Sequence, residues 1–168
     1  MTQPIAVPRK FLLDADTFQF SRNKKITRTR AAWIDTPEIR YKADMSQKPE
    51  DLNQWEWGAE AKGFLLSMIA RKTICLVPIP YGGSANALDS FGRTIADWHL
   101  CDSIDQITVG NNIQVMLAAA GLAVHVPPIN SGIIYQTIRV AQSQAKALKK
   151  GFWADDNFVL PYIWKANR

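Results

Sequence analysis

The sequence predicts an α+β fold in which five short β-strands form a small Greek-key barrel of the OB type, with three α-helices. Three strands come first and are separated by short polar turns, which is typical of an antiparallel meander. A helix with one apolar stripe follows, and then come two more strands and two more helices. A small barrel with intervening helices fits this order of elements.

Turn residues and prolines bound the predicted strands. Residues 14–17 form a first turn, because Asp side chains bond to nearby backbone groups, and residues 22–25 form a polar hairpin turn. Pro37 ends the third strand and Pro78 ends the fourth, since proline cannot donate to a strand ladder. The predicted strands cover residues 9–13, 17–21, 26–34, 73–79 and 94–100.

Apolar periodicity and glycine define the predicted helices, which cover residues 57–71, 112–120 and 134–150. The first carries an apolar stripe at helical spacing, which indicates core packing. The second ends at Gly121, a residue that suits the position after a helix. We expect residues 1–8 to be irregular, residues 40–54 to form a mobile loop, and the tail through Trp164 to pack back onto the domain.

Length and composition favour one folded domain. The chain has 168 residues, of which 47% are hydrophobic and 21% are charged, and this balance is globular and not disordered. We expect a single domain over residues 1–168, with a core at about 9–155 and a C-terminal tail at 156–168. No run approaches the ~20 apolar residues of a membrane span. Residues 1–10 lack the pattern of a secretory signal, so we expect a cytoplasmic protein or one whose signal was removed.

The net charge of +5 favours a polyanionic partner, either nucleic acid or an anionic membrane surface. Charge alone does not decide, because many basic proteins bind neither. Cys75 and Cys101 lack metal-ligand spacing, and only His99 and His125 could join them, which argues against a zinc site. The sequence leaves open whether the two cysteines form a disulfide.

Residues 30–38 read Arg-Ala-Ala-Trp-Ile-Asp-Thr-Pro-Glu, a buried strand that stops at an exposed, charged end. Arg30 and Asp35 are an odd number of positions apart, so they would point to opposite faces of a regular strand. If both serve one site, the strand must bend or bulge between them, or the site must wrap around its end.

Charged residues at the predicted turns and strand ends suit phosphodiester hydrolysis. Carboxylates and a backbone carbonyl are hard oxygen ligands for Ca²⁺ or Mg²⁺, and a Glu beside the metal can orient or deprotonate water. Two arginines can clamp phosphate oxygens and neutralise growing charge. The alternative is that these arginines only form structural salt bridges. The residues in question are Asp16, Arg30, Asp35, Glu38 and Arg93.

Several segments, in order, resemble the staphylococcal nuclease (thermonuclease) family over roughly residues 9–155. Residues 14–17 resemble its Asp-Gly-Asp-Thr turn, with Ala15 in place of Gly, and residues 30–38 match its Arg, four apolar residues and Asp-Thr-Pro-Glu. Residues 89–93 match its Asp-x-(Tyr/Phe)-Gly-Arg. Further similarity lies at residues 58–61, 121–123 and 141–153.

The resemblance implies a Ca²⁺-dependent, sugar-nonspecific endonuclease that cleaves DNA and RNA to 3′-phosphate products. It implies an OB barrel whose third strand curves across the site. Asp16 and Asp35 would ligate Ca²⁺ through their carboxylates, with the main-chain carbonyl of Thr36 beside them. Mg²⁺ or another divalent ion is the other possibility for this site. DNA and RNA are then the expected partners, with a monomer and no membrane.

The resemblance also assigns catalytic roles. Glu38 would act on the attacking water as general base, while Arg30 and Arg93 would bind the scissile phosphate and stabilise the transition state. Residues 124–129 lack two tyrosines with which a well-known family member contacts nucleotides, which leaves Tyr135 as a substitute, or weaker base stacking. The alternative function is a non-catalytic OB module that binds nucleic acid or protein, although such modules usually lose the charged residues retained here.

Overall fold

The computed structural model describes residues 4–6, 11–22, 25–70, 72–80, 88–127 and 132–168. Within these residues the strands are β1 Pro4–Ala6, β2 Thr17–Arg22, β3 Lys25–Ala31, β4 Ile34–Asp35, β5 Thr73–Pro78, β6 Thr94–Leu100 and β7 Val124–His125. The α-helices are α1 Pro49–Ile69, α2 Ile113–Ala119, α3 Ile133–Ala147 and α4 Pro161–Ala166.

One curled sheet carries the fold. Its strand order is β1-β5-β6-β3-β2, and β4 pairs separately with β7. Neighbouring strands run antiparallel except β3 and β6, which pair in parallel from Thr29↔Thr94 to Ala31↔Ala96. This parallel register brings the residues that precede β6 to the same end of the sheet as Arg30. The predicted α+β fold with an OB-like curled sheet is confirmed, although the strands are not all the predicted ones.

The first predicted strand is wrong. Residues 9 and 10 lie outside the described part of the chain, and Leu12 forms only an isolated bridge with Phe18. The first strand is instead β1, in a segment predicted to be irregular, and it pairs with β5. Proline is tolerated at Pro4 because β1 lies at the edge of the sheet and Pro4 is its first residue.

The third predicted strand is divided. It was expected to run over residues 26–34, but a turn at Ala32 and Trp33 separates β3 from β4. Trp33 has φ 68°, a left-handed conformation that is costly for a bulky side chain. Its indole Nε1 donates to Asp97 Oδ1 at 3.0 Å, and its ring packs edge-on against Tyr135. These contacts hold the turn in place.

Helix α1 starts earlier than predicted. It begins at Pro49, so the loop predicted over residues 40–54 ends before that residue. Proline suits the first turn of a helix, where its missing N–H has no intrahelical partner, and Glu50 and Asp51 complement the helix dipole. Helices α2 and α3 lie close to their predicted positions. No helix in the described ranges is long and apolar enough to cross a membrane.

The C-terminal segment, residues 155–168, packs on α1 and ends in the unpredicted helix α4. Trp164 is buried, and its Nε1 donates to Asp51 Oδ1 at 2.6 Å. The side chain of Asn53 donates to Asp155 Oδ2 at 2.6 Å. The tail is therefore an integral layer of the fold.

The main core lies between the curled sheet and the helices. Its largest fully buried side chains include Phe18 and Trp98 from the sheet and Leu65, Leu117 and Ile138 from α1, α2 and α3. At one end of the sheet a disulfide joins Cys75 of β5 to Cys101, with 6.0 Å between their Cα atoms. This pairing answers the question that the sequence left open.

Asp97 on β6 is a buried carboxyl beneath the Trp33 turn. Besides the indole of Trp33, its Oδ1 accepts a hydrogen bond from Gln114 Nε2 at 3.3 Å. Burial raises the pKa of Asp97 to about 7, and the hydrogen bond from Trp33 opposes this shift. The folded protein therefore binds this proton over a pH range in which an unfolded Asp would have lost it.

The replacement Asp97→Asn tests the cost of ionising this group. The folded pKa is raised, so the contribution of Asp97 to the free energy of unfolding falls as pH rises from about 4 to about 7. The variant keeps the Oδ1 acceptor but does not ionise, so we expect its stability relative to wild type to improve by about 3 kcal/mol across this range. Urea denaturation at both ends of the range measures the change. If the difference in free energy of unfolding between variant and wild type did not change with pH, the raised pKa of Asp97 would be refuted.

Candidate active site

The turn before β2 delivers Asp16 to a buried position. The backbone N–H of Asp16 donates to Asp14 Oδ1 at 3.0 Å, which closes the turn. Among the described residues other than glycine, only Trp33 and Lys149 have positive φ, so Ala15 occupies its turn without strain. Replacement of the family's glycine by alanine is therefore compatible with this turn.

Asp16 also fixes the end of β4. Its Oδ2 accepts hydrogen bonds from the backbone N–H of Thr36 at 3.0 Å and from the Thr36 hydroxyl at 2.9 Å. Its Oδ1 accepts from the Thr17 hydroxyl at 2.9 Å. One carboxylate therefore joins the start of β2 to the chain just after β4.

Arg30 connects Asp16 with Asp35. Its Nη1 pairs with Asp16 Oδ1, and its Nη2 lies 2.7 Å from Asp35 Oδ1 and donates to the Ile34 carbonyl at 3.2 Å. A regular strand would have separated Arg30 and Asp35 onto two faces. Because the turn at Trp33 interrupts the alternation, the two side chains meet on one face.

The charge state of this group follows from competing effects. Burial acts to raise the pKa of Asp16, but the charges of Arg30 and Lys165 and its hydrogen bonds outweigh burial and lower it to about 2. Burial, followed by the charge of Asp16, holds the pKa of Asp14 well above its usual range. The Asp16 carboxylate is thus ionised at every ordinary pH, beside a guanidinium whose own pKa is raised.

Glu38 is positioned by the backbone of α1. The segment after Pro37 crosses the helix at Gly58, where an added Cβ would overlap the carbonyl oxygen of Glu38. The side chain of Glu38 is 18% exposed and faces Lys165. A glycine in the middle of a helix is destabilising on its own, so its use here is explained by the close approach of the two backbones.

Lys165 of α4 is a site residue that sequence reasoning missed. Its Nζ lies 2.6 Å from Asp35 Oδ1 and 2.7 Å from Glu38 Oε1. Burial acts to lower the pKa of Lys165, but Asp35, Asp16 and Glu38 raise it above its ordinary value. Since Lys165 is 130 positions from Asp35 along the chain, no local motif could have indicated the contact.

Arg93 stands at the end of a tight turn and pairs with Asp89. Its Nε lies 2.7 Å from Asp89 Oδ2, while Asp89 Oδ1 accepts the backbone N–H groups of Phe91 and Arg93 at 2.9 Å each. The guanidinium carbon lies 5.3 Å from the centre of the Phe91 ring, which is 81% exposed. The turn thus holds an arginine and an exposed aromatic ring side by side.

A cleft of about 560 Å³ brings these groups together. Asp16 and Thr36 lie buried beside it, where Asp16 pairs with Arg30 of the cleft wall and accepts hydrogen bonds from Thr36. A second cleft of about 270 Å³ shares Arg30 and Arg93 and is lined by Trp33 and Phe91. The charged residues that line the first cleft include Arg30, Asp35, Glu38, Arg93 and Lys165.

Tyr135 does not supply a free stacking surface. It is buried on α3, where it packs against Trp33 and His125. The suggestion that it substitutes for the family's tyrosines is therefore wrong. Two exposed rings do line the clefts, Tyr41 the first and Phe91 the second.

The donors beside the cleft have the chemistry that a hard divalent ion requires, namely carboxylate and carbonyl oxygens. In this arrangement they are engaged by side chains, because Asp16 pairs with Arg30, and Asp35 pairs with both Arg30 and Lys165. Across the described ranges, no three His, Cys, Asp or Glu side chains are grouped so as to hold a metal. The ammonium of Lys165 nevertheless shows that Asp35 and Glu38 can share one cation.

A curled OB-like sheet with an arginine–carboxylate cleft at one end is suited to nucleic acid phosphates. Residues 28–155 match the family described as staphylococcal nuclease homologue, and the chain belongs to this family. Two curated relatives, from Escherichia coli and Escherichia coli O157:H7, are each 25% identical over 154 residues. The alignment covers 92% of this chain and 80% of each relative, and both are named as an uncharacterized endonuclease. The resemblance drawn from the motifs is confirmed.

The contact between α1 and Glu38 can be tested with two glycines of one helix. Gly58→Ala should lower the free energy of unfolding by about 1–3 kcal/mol, because the new methyl group displaces the backbone at Glu38. Gly63→Ala is the matched control, since nothing lies within 4 Å of its added Cβ. It should raise stability by about 0.5–1 kcal/mol through helix propensity. Urea denaturation measures both, and equal effects would refute the close approach.

Proposed function

We propose that the protein is a Ca²⁺-dependent, sugar-nonspecific endonuclease that hydrolyses phosphodiester bonds of DNA and RNA and leaves 3′-phosphate products. The proposal is carried by one observation: Arg30 links Asp16 to Asp35 in a cleft that also contains Glu38 and Arg93. Membership of a nuclease family supports the substrate class. A net charge of +5 favours attraction of a polyanion.

The carboxylates of Asp16 and Asp35 and the main-chain carbonyl of Thr36 would hold the metal ion. When bound, the ion supplies positive charge that offsets the charge developing on the phosphate and its attacking water. We propose Ca²⁺ as this ion. Mg²⁺ is the alternative, but the same donors suit it less well because Mg²⁺ demands a stricter octahedral geometry.

The chain's own side chains then act on the phosphate and on water. Arg30 would bind a phosphate oxygen at the cleft while remaining paired with Asp35. With its Nε held by Asp89, Arg93 would present its terminal amino groups to the scissile phosphate and stabilise the transition state. Glu38, at the rim, would orient the attacking water and take up its proton.

Weak sequence preference follows from this mode of recognition. Phosphate contacts position a nucleic acid but carry no base information. The exposed Phe91 ring, next to Arg93, offers a flat surface on which any base can stack. Both features tolerate DNA and RNA of different sequences.

A non-catalytic OB module is the second candidate function. It is favoured by one observation, namely that both terminal nitrogens of Arg30 already form ion pairs that also serve stability. Incubation of plasmid DNA with the protein in Ca²⁺, in Mg²⁺ and in EDTA separates the two candidates. The endonuclease proposal expects cleavage in Ca²⁺ and none in EDTA, and it fails if Ca²⁺ supports no cleavage across a broad pH range.

The role of Arg93 predicts a large loss of rate on truncation. Arg93→Ala should slow cleavage by a factor on the order of 10³, because one preorganised donor to the transition state is removed. Arg139→Ala is the matched control, since Arg139 is exposed on α3 and contacts Tyr135, outside the cleft. Initial rates on plasmid DNA measure both, together with melting temperatures. Near-full activity of the Arg93 variant would exclude the assigned role.

The role of Asp35 predicts a changed response to metal. Asp35→Asn should raise the Ca²⁺ concentration for half-maximal cleavage at least about tenfold, since a charged oxygen ligand is lost. Asp105→Asn removes an exposed carboxylate elsewhere and should leave the titration unchanged. The ligand assignment is refuted if the Ca²⁺ titrations of the Asp35 variant and wild type coincide.

A further inference from the structure

Lys165 lies outside the part of the chain that defines the family. The family match ends at residue 155, and Lys165 is carried by α4 in the C-terminal segment that follows. Its contact with Asp35 and Glu38 therefore comes from a residue beyond the matched family region. We name Asp35 and Glu38 the carboxylate pair.

The C-terminal segment holds Lys165 at the carboxylate pair through anchors on both sides. Trp164, the residue before it, is buried and donates to Asp51 on α1 at 2.6 Å. Arg168, which follows the end of α4, pairs with Asp44 at 2.7 Å. The backbone position of Lys165 thus depends on contacts that do not involve the cleft.

The ammonium of Lys165 occupies the place between two carboxylates where a cation is most favourable. Its Nζ is 2.6 Å from Asp35 and 2.7 Å from Glu38, and it relieves the repulsion between them. The side chain is 34% exposed, so it can swing into solvent while the anchored backbone remains in place. Entry of a divalent ion at Asp35 would then require only a side-chain rotation.

We propose that Lys165, held between the carboxylate pair, competes with the divalent cation for Asp35 and thereby sets the metal affinity of the site. Because the lysine is part of the chain, its local concentration is high and fixed, and the ion binds only the fraction of molecules in which the side chain has withdrawn. The apparent dissociation constant rises in inverse proportion to that fraction. This inference rests on the proposed metal-dependent function.

The experiment compares Ca²⁺ binding by isothermal titration calorimetry in the full chain and two variants. Lys165→Gln removes the competing charge and should bind Ca²⁺ at least about fivefold more tightly than wild type. Lys72→Gln removes the same charge from an exposed lysine that lies outside both the cleft and the C-terminal segment. It should stay within about twofold of wild type, because an exposed charge outside the site is largely screened by solvent and salt.

Melting temperatures give a second readout that does not depend on cleavage. Without Ca²⁺, Lys165→Gln should melt below wild type, since the carboxylate pair loses its shared cation. Saturating Ca²⁺ should raise its melting temperature more than that of wild type, because tighter binding stabilises the folded state further. Lys165→Met, which keeps the aliphatic stem, should behave in the same way and serves if the Gln variant folds poorly.

Each result bears on the inference. Equal or weaker Ca²⁺ binding by the Lys165 variants overturns the competition, while the nuclease proposal stands as long as wild type cleaves in Ca²⁺ and the Asp35 variant shifts its titration. Cleavage by wild type in EDTA that is lost in Lys165→Gln would also overturn it and show that the ammonium takes the metal's place. Absence of Ca²⁺ binding by every protein would refute both proposals.

Discussion

The buried carboxylate of Asp16 is the interaction on which the rest of the site depends. Its charge is removed from water, and this cost is offset by Arg30, by the Thr17 hydroxyl and by two donors of Thr36. Loss of one partner from a buried ion pair typically costs about 3–5 kcal/mol, because the other charge remains buried without compensation. Asp16 therefore stabilises the protein and, by the same contacts, aligns the start of β2 with segments 14 and 20 positions further along the chain.

The site also requires the Trp33 turn, because this turn lets the side chains of Arg30 and Asp35 meet on one face. A left-handed tryptophan is unfavourable in isolation, and such strain persists only where the surroundings over-determine it. Here the indole of Trp33 donates a hydrogen bond to Asp97 and packs against Tyr135. These two contacts stabilise the turn that places Arg30 and Asp35 on one face. The geometry of the site therefore depends on the packing of the core.

The sequence indicated β6 and the helices α2 and α3 well, because apolar periodicity and glycine mark them locally. It also indicated that Arg30 and Asp35 could belong to one site. The left-handed φ of Trp33, which brings them together, has no sequence signature because tertiary contacts stabilise it. The start of α1 was not predicted because its first turns are polar. Strand β1 was not predicted because it forms by pairing with β5, which is distant in the sequence. The role of Lys165 could not be predicted from the sequence, since only the packing of the tail brings it to the cleft.

The parallel pairing of β3 with β6 has a consequence for how the protein folds. The β2–β3 hairpin is local, whereas β3 and β6 join positions that are 65 apart in the chain, as at Thr29 and Thr94. Contacts of such separation form slowly, because the loop between them must first be closed. Since Arg30 and the turn at Arg93 approach each other only through this pairing, the two arginines come together late. Recovery of cleavage during refolding should therefore lag behind the return of helical signal.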